Sequence, residues 1–394
     1  MFCKVRILVR KWPIPNPLGE AYLITAYREG NWGRVPGGFV ETLEKDFAKY
    51  HDAKYAVAVN NATVGLMLSY LSLEIPIGSY FVSPAYTFIA TINAGIVLGL
   101  IPVFVDVDYE TLNIDVNHLA EVLEKDKENK VRLVVPVHFA GIPAEMDKIL
   151  NLARKHSAYV VEDAAQAHGS IYKGRKVGGI GDAGVFSFQT GKIITAGEGG
   201  IVATNNYEVY EKVWSYHNVG RKFDGAWYEH VRIGWNFRMT EIQAAIILAQ
   251  LKRFDDMLKT IRTSARIIFE ELGKEEHIHV HRVPSYVEPN HYFIPISIDN
   301  EILKHGGKEK LAKLVSEKGY SLIEGYMMPL YKQQALREPR WKLPVEEYSK
   351  LYLKNSEEAC RRVMWIPHYE LIHGEEYTSK YVNVIKSAVK EILK

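Results

Sequence analysis

The first half of the chain alternates short, continuously apolar runs with longer stretches of helical periodicity. Apolar runs of this length, bounded by turn residues, predict β-strands. Strands that alternate with helices predict an α/β fold whose mostly parallel sheet is sandwiched by helices. The predicted strands are Tyr55–Val59, Tyr80–Ser83, Pro102–Val107, Leu133–Val137, Ala158–Glu162, Val185–Gln189 and Gly200–Thr204, and the predicted helices are Thr63–Ser72, Phe88–Leu98, Val116–Lys125 and Ala144–His156.

The pattern changes after about residue 205, where two long helical stretches follow each other. A second unit is predicted from about residue 275, with its own strands and a closing amphipathic helix. We therefore expect an N-terminal segment (residues 1–35), a large domain (36–256), and a linker helix with a smaller C-terminal α/β domain (257–394). The elements predicted here are helices Met239–Asp255, Leu258–Leu272, Glu309–Lys318 and Glu375–Leu393, and strands His277–Arg282, Tyr292–Ile298 and Val363–Pro367.

The amino-acid composition limits the classes of protein to which the chain can belong. The 394 residues are 47% hydrophobic and 24% charged, which is typical of a folded globule rather than a disordered chain. Lysine and arginine together number 49 against 47 acidic residues, and this balance argues against a nucleic-acid partner. The only cysteines, Cys3 and Cys360, are too few for a disulfide framework, so we expect a cytoplasmic protein.

Neither a targeting segment nor a membrane span is predicted. The opening MFCKVRILVRKW is interrupted by basic residues and lacks a small-residue cleavage site, so it does not resemble a signal peptide. The most apolar stretch, residues 88–105, is interrupted by Gly95, Gly99 and Pro102. We interpret it as a buried helix followed by a strand, and expect no membrane association.

The residues with the clearest chemistry lie between Tyr159 and Asn205. Glu162 and Asp163 end a predicted strand, where a carboxylate points into the ligand crevice of an α/β sheet. Lys192 follows Asp163 by 29 residues and is flanked by small and apolar residues. A nucleophilic lysine needs such a partly desolvated pocket, because its neutral form must be accessible.

A lysine and a rigidly placed carboxylate are what pyridoxal phosphate chemistry requires. The lysine binds the cofactor covalently, and the carboxylate keeps the pyridine nitrogen protonated so that the ring acts as an electron sink. The cofactor phosphate needs donors, and two groups offer them: Ser187, and the small-residue turn at Asn60–Thr63 between a strand and a helix.

At these residues the chain resembles the DegT/StrS family of sugar aminotransferases. The motifs VEDAAQAHG, GDAGVFSF, the lysine before TAGEGG, and GWNFRMTEIQAAIILAQL occur in the order and spacing of that family. The resemblance covers nearly the whole chain and implies the fold of aspartate aminotransferase, known as fold type I, with pyridoxal 5'-phosphate as cofactor.

The resemblance also implies a role for each matching residue. Lys192 and Asp163 match the catalytic lysine and the partner of the ring nitrogen, and no metal ligand is implied. The remaining cofactor contacts are Ala62 and Thr63 in the phosphate turn, Phe88 stacked on the ring, Gln166 beside the ring hydroxyl, Ser187 at the phosphate, and Asn236 reaching the phosphate of a neighbouring subunit. Asn236 thereby implies a homodimer with shared active sites.

The implied reaction moves an amino group from glutamate or glutamine to a keto-sugar, often nucleotide-linked, or to a keto-cyclitol. NWGRVPGG, NFRMTEIQAAIILAQL and EGYMMPLYKQQAL look most similar to the glutamine:scyllo-inosose aminotransferase branch. Some members carry histidine in place of the lysine and are dehydratases, whereas this chain has Lys192. A dehydratase or lyase on the same fold, and a regulatory protein that holds the cofactor without turnover, remain alternatives.

One departure and several weaker patterns accompany the resemblance. The usual Ser-Gly-Thr phosphate turn is Asn61-Ala62-Thr63 here; alanine tolerates positive φ poorly, so we expect a slightly different turn with a contact from Asn61. We favour a structural interpretation for the other patterns. Gly179-x-Gly181-x-x-Gly184 fits a dinucleotide-binding motif in its letters only, and His277, His279 and His281 alternate as metal ligands can. His168, and His368 at the domain interface, are also interpreted as structural residues.

Overall fold

The computed structural model describes residues 12–394; the first eleven residues, with Cys3 and most of the opening basic segment, lie outside the described part. The helices are α1 Pro17–Glu29, α2 Phe39–Tyr50, α3 Ala62–Ser72, α4 Ala90–Ile96, α5 Val116–Lys125, α6 Met146–Lys155, α7 Tyr207–His217, α8 Glu241–Leu251, α9 Phe254–Leu272, α10 Asn300–Lys304, α11 Gly307–Glu317, α12 Val345–Lys350, α13 Lys354–Arg362 and α14 Glu375–Ile392. The strands are β1 Tyr55–Val59, β2 Tyr80–Pro84, β3 Ile101–Val105, β4 Val131–Val134, β5 Tyr159–Asp163, β6 Ile171–Tyr172, β7 Arg175–Lys176, β8 Ala183–Ser187, β9 Gly200–Thr204, β10 Ile278–Val280, β11 Val287–Glu288, β12 Phe293–Ile298 and β13 Val363–Pro367.

A seven-stranded sheet with the order β1-β9-β8-β5-β4-β2-β3 forms the larger layer of the described chain. Five of its strands run parallel to their neighbours, and β9 pairs antiparallel with both β1 and β8. β1 therefore points the same way as the parallel strands. The carboxyl ends of β1, β2, β5 and β8 consequently meet at one edge, where a ligand site is expected.

Both faces of this sheet are buried, because successive side chains of a strand point to opposite faces. Val160 and Phe186 belong to one apolar core, with helices α2, α5, α6 and α8, whereas Val161 and Val185 belong to the other, with α3, α4 and α7. Strands that are buried on both sides have continuous apolar sequences, which explains why the sequence pattern located them.

A second sheet of three antiparallel strands, β10-β12-β13, lies in the C-terminal part. Apolar side chains of α9, α11 and α14 pack with this sheet, among them Ile261, Leu311 and Ile385, and they belong to the same continuous apolar core as Val160 and Phe186. The predicted α/β fold, with a mostly parallel large sheet and a smaller C-terminal unit, is therefore confirmed.

Six helices were not predicted: α1, α2, α7, α10, α12 and α13. The predicted helix Phe88–Leu98 is α4, which begins only at Ala90, and Met239–Asp255 is shortened to α8. Within residues 12–394 no helix is long and apolar enough to cross a membrane.

Candidate active site

The site residues lie where the parallel strands of the large sheet end. Asp163 is the last residue of β5 and Ser187 the last residue of β8. The phosphate turn follows β1, and the Phe88 loop follows β2. The structure therefore brings all four segments to one edge of the sheet, as the strand pattern predicts.

Asp163 is a buried carboxylate with two hydrogen-bond donors. Thr91 Oγ1 donates to its Oδ2 at 2.7 Å, and the N–H of Ala165 donates to its Oδ1 at 3.2 Å. Burial raises the pKa of Asp163 above its ordinary value, and the two donors and the charge of Lys192 oppose that rise. The side chain is 6% exposed, so it is rigidly held with little access to water.

Lys192 lies in the loop after β8, next to the fully buried Ile193 and Ile194. Burial lowers the pKa of Lys192 to about 8, and the charge of Asp163 opposes this decrease. Within the described residues Nζ has no ion pair; its neighbour is the Tyr292 ring, whose centroid is 4.8 Å away. An amine with this pKa is partly neutral near pH 8, as a nucleophile or general base requires.

The phosphate turn is the N-terminus of α3. Asn61 is the N-cap residue, and its Oδ1 accepts a hydrogen bond of 2.9 Å from the N–H of Val64. Ala62 is already helical, so the expected strain from positive φ is absent, while the expected contact from Asn61 is present. The N–H groups of Ala62 and Thr63 have no acceptor within residues 12–394 and remain available to an anion.

Two further residues shape this anion cradle. Ser187 is 6% exposed, and its Oγ accepts a hydrogen bond of 3.3 Å from the N–H of Gln189, which leaves its own proton free. Gly200 lies directly against the turn, because a Cβ there would be 2.6 Å from the Ala62 nitrogen. Glycine is therefore required at the start of β9 for the strand to approach the cradle.

Phe88 and Gln166 border the same edge. The Phe88 ring is 59% exposed, which is unusual for a phenylalanine and leaves a face free for stacking. Gln166 is buried, and its Oε1 accepts a hydrogen bond of 2.7 Å from the N–H of Ala140. The Tyr326 hydroxyl, on a C-terminal loop, lies within reach of the Gln166 side chain and of the charge of Asp163.

Asn236 is exposed and forms a bridge with Asn218, in a segment that runs beside the phosphate turn. The adjacent Phe237 carbonyl accepts a 2.9 Å hydrogen bond from the N–H of Asn60. The residue thus lies at the surface next to the site, and its role toward a second subunit stays a prediction.

Glu162 does not join the site, although the sequence pairs it with Asp163. Its carboxylate points to the opposite face, where His138 Nε2 lies 3.1 Å away. It accepts hydrogen bonds of 2.7–2.8 Å from the N–H groups of Gly178, Ile180 and Gly181. The glycine motif at 179–184 runs directly into strand β8, which begins at Ala183, and the N–H groups of Ile180 and Gly181 within it donate to Glu162 rather than being free for a dinucleotide phosphate.

The remaining histidines have partners or apolar surroundings. His277, His279 and His281 contact Asp299, Glu110 and Ser297 respectively, each at 2.6–3.1 Å, so they do not converge on one point. His168 is buried against Phe186 and Phe188. His368 lies at the end of β13, close to the Lys192 loop.

Three site residues were not predicted: Thr91, Tyr292 and Tyr326. Thr91 lies three residues after Phe88, so its position in the PAYTFIAT motif was an available signal. Tyr292 and Tyr326 come from distant parts of the chain, and only the tertiary fold brings them to Lys192 and Gln166.

This donor set fits pyridoxal phosphate. It combines an anion cradle with free N–H groups, an exposed ring for stacking, a buried carboxylate, and an amine whose pKa is near 8. The fold and the site together define a pyridoxal-phosphate-dependent aminotransferase.

Comparison with known proteins supports the same class, that of the pyridoxal-phosphate-dependent aminotransferases. Residues 20–384 match the model of the DegT/DnrJ/EryC1/StrS aminotransferase family. The chain is 33% identical over 311 residues to the GDP-perosamine synthase of Escherichia coli O157:H7, covering 79% of this chain and 84% of that one. It is 34% identical over 272 residues to a putative L-glutamine:3-amino-2,3-dideoxy-scyllo-inosose aminotransferase of Micromonospora echinospora, covering 66% and 62%.

Among solved structures, the crystal structure of 3-amino-5-hydroxybenzoic acid synthase superposes with a TM-score of 0.88 at 28% identity, covering 96% of this chain and 98% of that one. The chain belongs to the DegT/DnrJ/EryC1/StrS aminotransferase family. The predicted family, fold, enzyme class and cofactor are confirmed.

Proposed function

We propose that this enzyme transfers an amino group from glutamate or glutamine to a keto-sugar, nucleotide-linked or free, or to a keto-cyclitol, and so produces an amino sugar or aminocyclitol. The observation that carries the proposal is that Lys192 and Asp163 lie at the same edge of the sheet, close enough for the charge of each to affect the pKa of the other. The names of the relatives support the acceptor class, since they include a GDP-perosamine synthase and an inosose aminotransferase.

Lys192 is the group proposed to hold the cofactor and to move protons. The cofactor, when bound, supplies an electron sink that stabilises negative charge at the donor carbon. With a pKa of about 8, the Lys192 amine is able to accept a proton from the donor and return it to the acceptor at neutral to slightly alkaline pH.

Asp163 is proposed to pair with the pyridine nitrogen of the cofactor. Its carboxylate is fixed by Thr91 and by the Ala165 N–H, so it needs no reorganisation when charge develops. The N–H groups of Ala62 and Thr63, with the Ser187 hydroxyl, bind the phosphate, and the Phe88 ring excludes water from one face. Gln166 lies on the Asp163 side of the pocket, near the proposed ring hydroxyl.

We also propose a homodimer with shared sites. Residues 219–236 form a loop whose large side chains are strongly exposed: Trp227 is 74%, Tyr228 79% and Ile233 87% exposed. An apolar patch of this kind is typical of a protein interface. Because Asn236 ends this loop beside the phosphate turn, the same surface offers it to a second copy of the chain.

Two broader expectations remain proposals. We propose that the large domain ends near residue 256 and that α9 connects it to the C-terminal unit, since the strands of the seven-stranded sheet all precede α9 and those of the β10-β12-β13 sheet all follow it. We propose a cytoplasmic location, which the free, buried thiol of Cys360 supports.

An acceptor screen tests the function. Purified enzyme would be incubated with ¹⁵N-labelled glutamine or glutamate and with panels of keto-sugars and keto-cyclitols, and the products analysed by mass spectrometry. Incorporation of ¹⁵N into one acceptor class supports the proposal. Loss of water or of a substituent without ¹⁵N incorporation would instead identify a dehydratase or lyase. Ping-pong kinetics are expected, because the donor product leaves before the acceptor binds.

A further inference from the structure

Four side chains from separate parts of the chain form a row that ends at the Lys192 amine. The Trp12 ring meets the His368 ring edge-on, with centroids 4.7 Å apart and planes at 86°. His368 stacks on Tyr292 with centroids 5.4 Å apart and planes at 24°. The Lys192 Nζ atom then lies 4.8 Å from the centroid of Tyr292, within the range of a cation–π contact.

The Tyr292 ring is held firmly. Its backbone N–H donates a 2.9 Å hydrogen bond to Oδ1 of the buried Asn290, and its carbonyl accepts one of 3.0 Å from the N–H of His368. The side chain is 6% exposed. A ring fixed from both backbone groups and by stacking has one orientation to offer to a neighbouring amine.

Trp12 connects this stack to the lysine loop. Its indole Nε1–H donates a 3.1 Å hydrogen bond to the carbonyl oxygen of Thr190, two residues before Lys192. The same ring contacts His368 at the end of β13. Trp12 therefore ties the loop that carries the amine to the strand that carries the stack.

An aromatic face is a suitable neighbour for a lysine that must react. A carboxylate in direct contact would hold the ammonium form and block the nucleophile, whereas a ring face attracts the ammonium without a directed hydrogen bond. The titratable groups around the amine are Asp163, His168, His368 and Tyr292. Both histidines are buried and have lowered pKa values, so they are neutral near pH 7.

We propose that Tyr292 is a positioning residue for the Lys192 amine. Trp12 and His368 keep the Tyr292 ring and the loop that carries Lys192 in fixed relative positions. This inference rests on the proposed role of Lys192 and adds the group that orients it. It gives Trp12 a function that the sequence did not indicate.

The test uses the full chain after removal of the cofactor. Trace acetylation with acetic anhydride at a series of pH values, followed by peptide mass spectrometry, gives the pKa and the reactivity of each lysine. Tyr292→Leu removes the ring face and keeps the pocket apolar, so the pKa of Lys192 should fall by about half a unit to one unit. Tyr292→Phe keeps the face and should leave that pKa unchanged.

Tyr320→Leu is the matched control, since Tyr320 stacks on Tyr381 in the C-terminal unit. It should leave the pKa of Lys192 at the wild-type value. Lys212 and Lys308 report whether the variant is folded, because both are buried and should acetylate slowly only in the native structure. A Lys192 pKa in Tyr292→Leu that is unchanged or raised would overturn the proposal.

The proposed role of Trp12 is tested by the accessibility of the Lys192 amine to acetic anhydride. Trp12→Ala should raise the limiting acetylation rate of Lys192 at high pH several-fold, because the loop loses its tie to β13. Trp32→Ala, at a 48% exposed tryptophan stacked on Tyr27, should not change it. An unchanged rate in Trp12→Ala would overturn the role of Trp12. Neither measurement depends on enzymatic turnover. Their outcome can therefore be distinguished from a failure of the proposed transamination.

Discussion

Thr91 Oγ1 donates a 2.7 Å hydrogen bond to Oδ2 of Asp163, although 72 positions of sequence separate the two residues. The bond joins α4, which begins two residues after Phe88, to the carboxylate at the end of β5. The stacking side of the site and its acidic side are therefore one connected unit.

Loss of the Thr91 hydroxyl should shift the acidic limb of the pH–activity profile. The hydroxyl stabilises the ionised form of Asp163, and burial already raises the pKa of that carboxyl. In Thr91→Val the pKa rises further, so the carboxylate is protonated at a higher pH and activity is lost there. The acidic limb of kcat/KM should move up by about one pH unit or more. Thr91→Ser retains the donor and should restore the wild-type profile; a Thr91→Val profile identical to wild type would contradict this role.

Asn61 should matter for both stability and cofactor affinity. Asn61→Ala removes the cap of α3 and should lower the free energy of unfolding of the cofactor-free protein by about 1 kcal/mol. It should also weaken pyridoxal phosphate binding in equilibrium dialysis, since the cradle N–H groups lose their alignment.

The control is Asn206→Ala, which removes an equivalent cap from α7, where Oδ1 of Asn206 accepts from the N–H of Glu208 at 2.9 Å. This variant should lose similar stability without a change in cofactor affinity. Equal loss of affinity in both variants would show that the effect is general destabilisation.

Glu162 should support folding rather than catalysis. Burial acts to raise its pKa, but the hydrogen bonds from His138, Gly181 and Gly178 keep it below the ordinary value of 4.5. Its contribution is therefore fully present above about pH 4.5 and is lost as pH falls through the folded-state pKa. Glu162→Gln should cost about 2–4 kcal/mol near pH 7, and the gap to wild type should narrow below pH 4.5.

Thermal unfolding followed by circular dichroism at pH 7, 5 and 4 measures this gap. Glu376→Gln is the matched control, because Glu376 forms an ion pair with Lys380 on α14 with 86% of its side chain exposed. Its unfolding temperature should stay close to wild type. A gap for Glu162→Gln that stays constant down to pH 4 would contradict the assignment.

The exposed loop of residues 219–236 should determine whether the chain forms a dimer. Ile233→Asp places a charge at an 87% exposed apolar position and should shift the sedimentation coefficient toward that of the 44.9 kDa monomer. Ile77→Asp, at an 85% exposed isoleucine elsewhere, should leave assembly unchanged. If Ile233→Asp assembles like wild type, this loop is not the interface.

Shared sites have a separate test. Lys192→Ala and Asn236→Asp are each expected to be inactive, and a mixed dimer contains one intact site if Asn236 serves its neighbour. Partial recovery of activity on mixing supports shared sites, whereas additive residual activity contradicts them.

The sequence predicts most strands well, because each is a local apolar run, and the structure brings the predicted site motifs to one edge of the sheet. The strands β1, β9 and β13 and the helix α5 have the predicted bounds, since each is a continuous apolar run or a clear amphipathic stretch. The helix α2 has the stripe Val40, Leu43 and Phe47 and could have been predicted. The helix α1 has few buried residues, with Leu23, Ile24 and Tyr27 exposed, so it has no clear stripe to detect.

The contacts that complete the site were not predictable, because they join distant segments. Tyr292 reaches Lys192, and Trp12 reaches Thr190 over 178 positions. Glu162 shows a different limit. The sequence places Glu162 and Asp163 together at a strand end, but alternation along a strand places the two side chains on opposite faces.

Lys192 is the residue proposed to hold pyridoxal phosphate. Sodium borohydride reduction of the holoenzyme, followed by proteolysis and peptide mass spectrometry, locates the covalently bound cofactor. We expect the cofactor mass on the peptide that contains Lys192. In Lys192→Ala we expect neither that mass nor the yellow absorbance. Reduced cofactor on a different lysine, or an unchanged yellow band in Lys192→Ala, would contradict it.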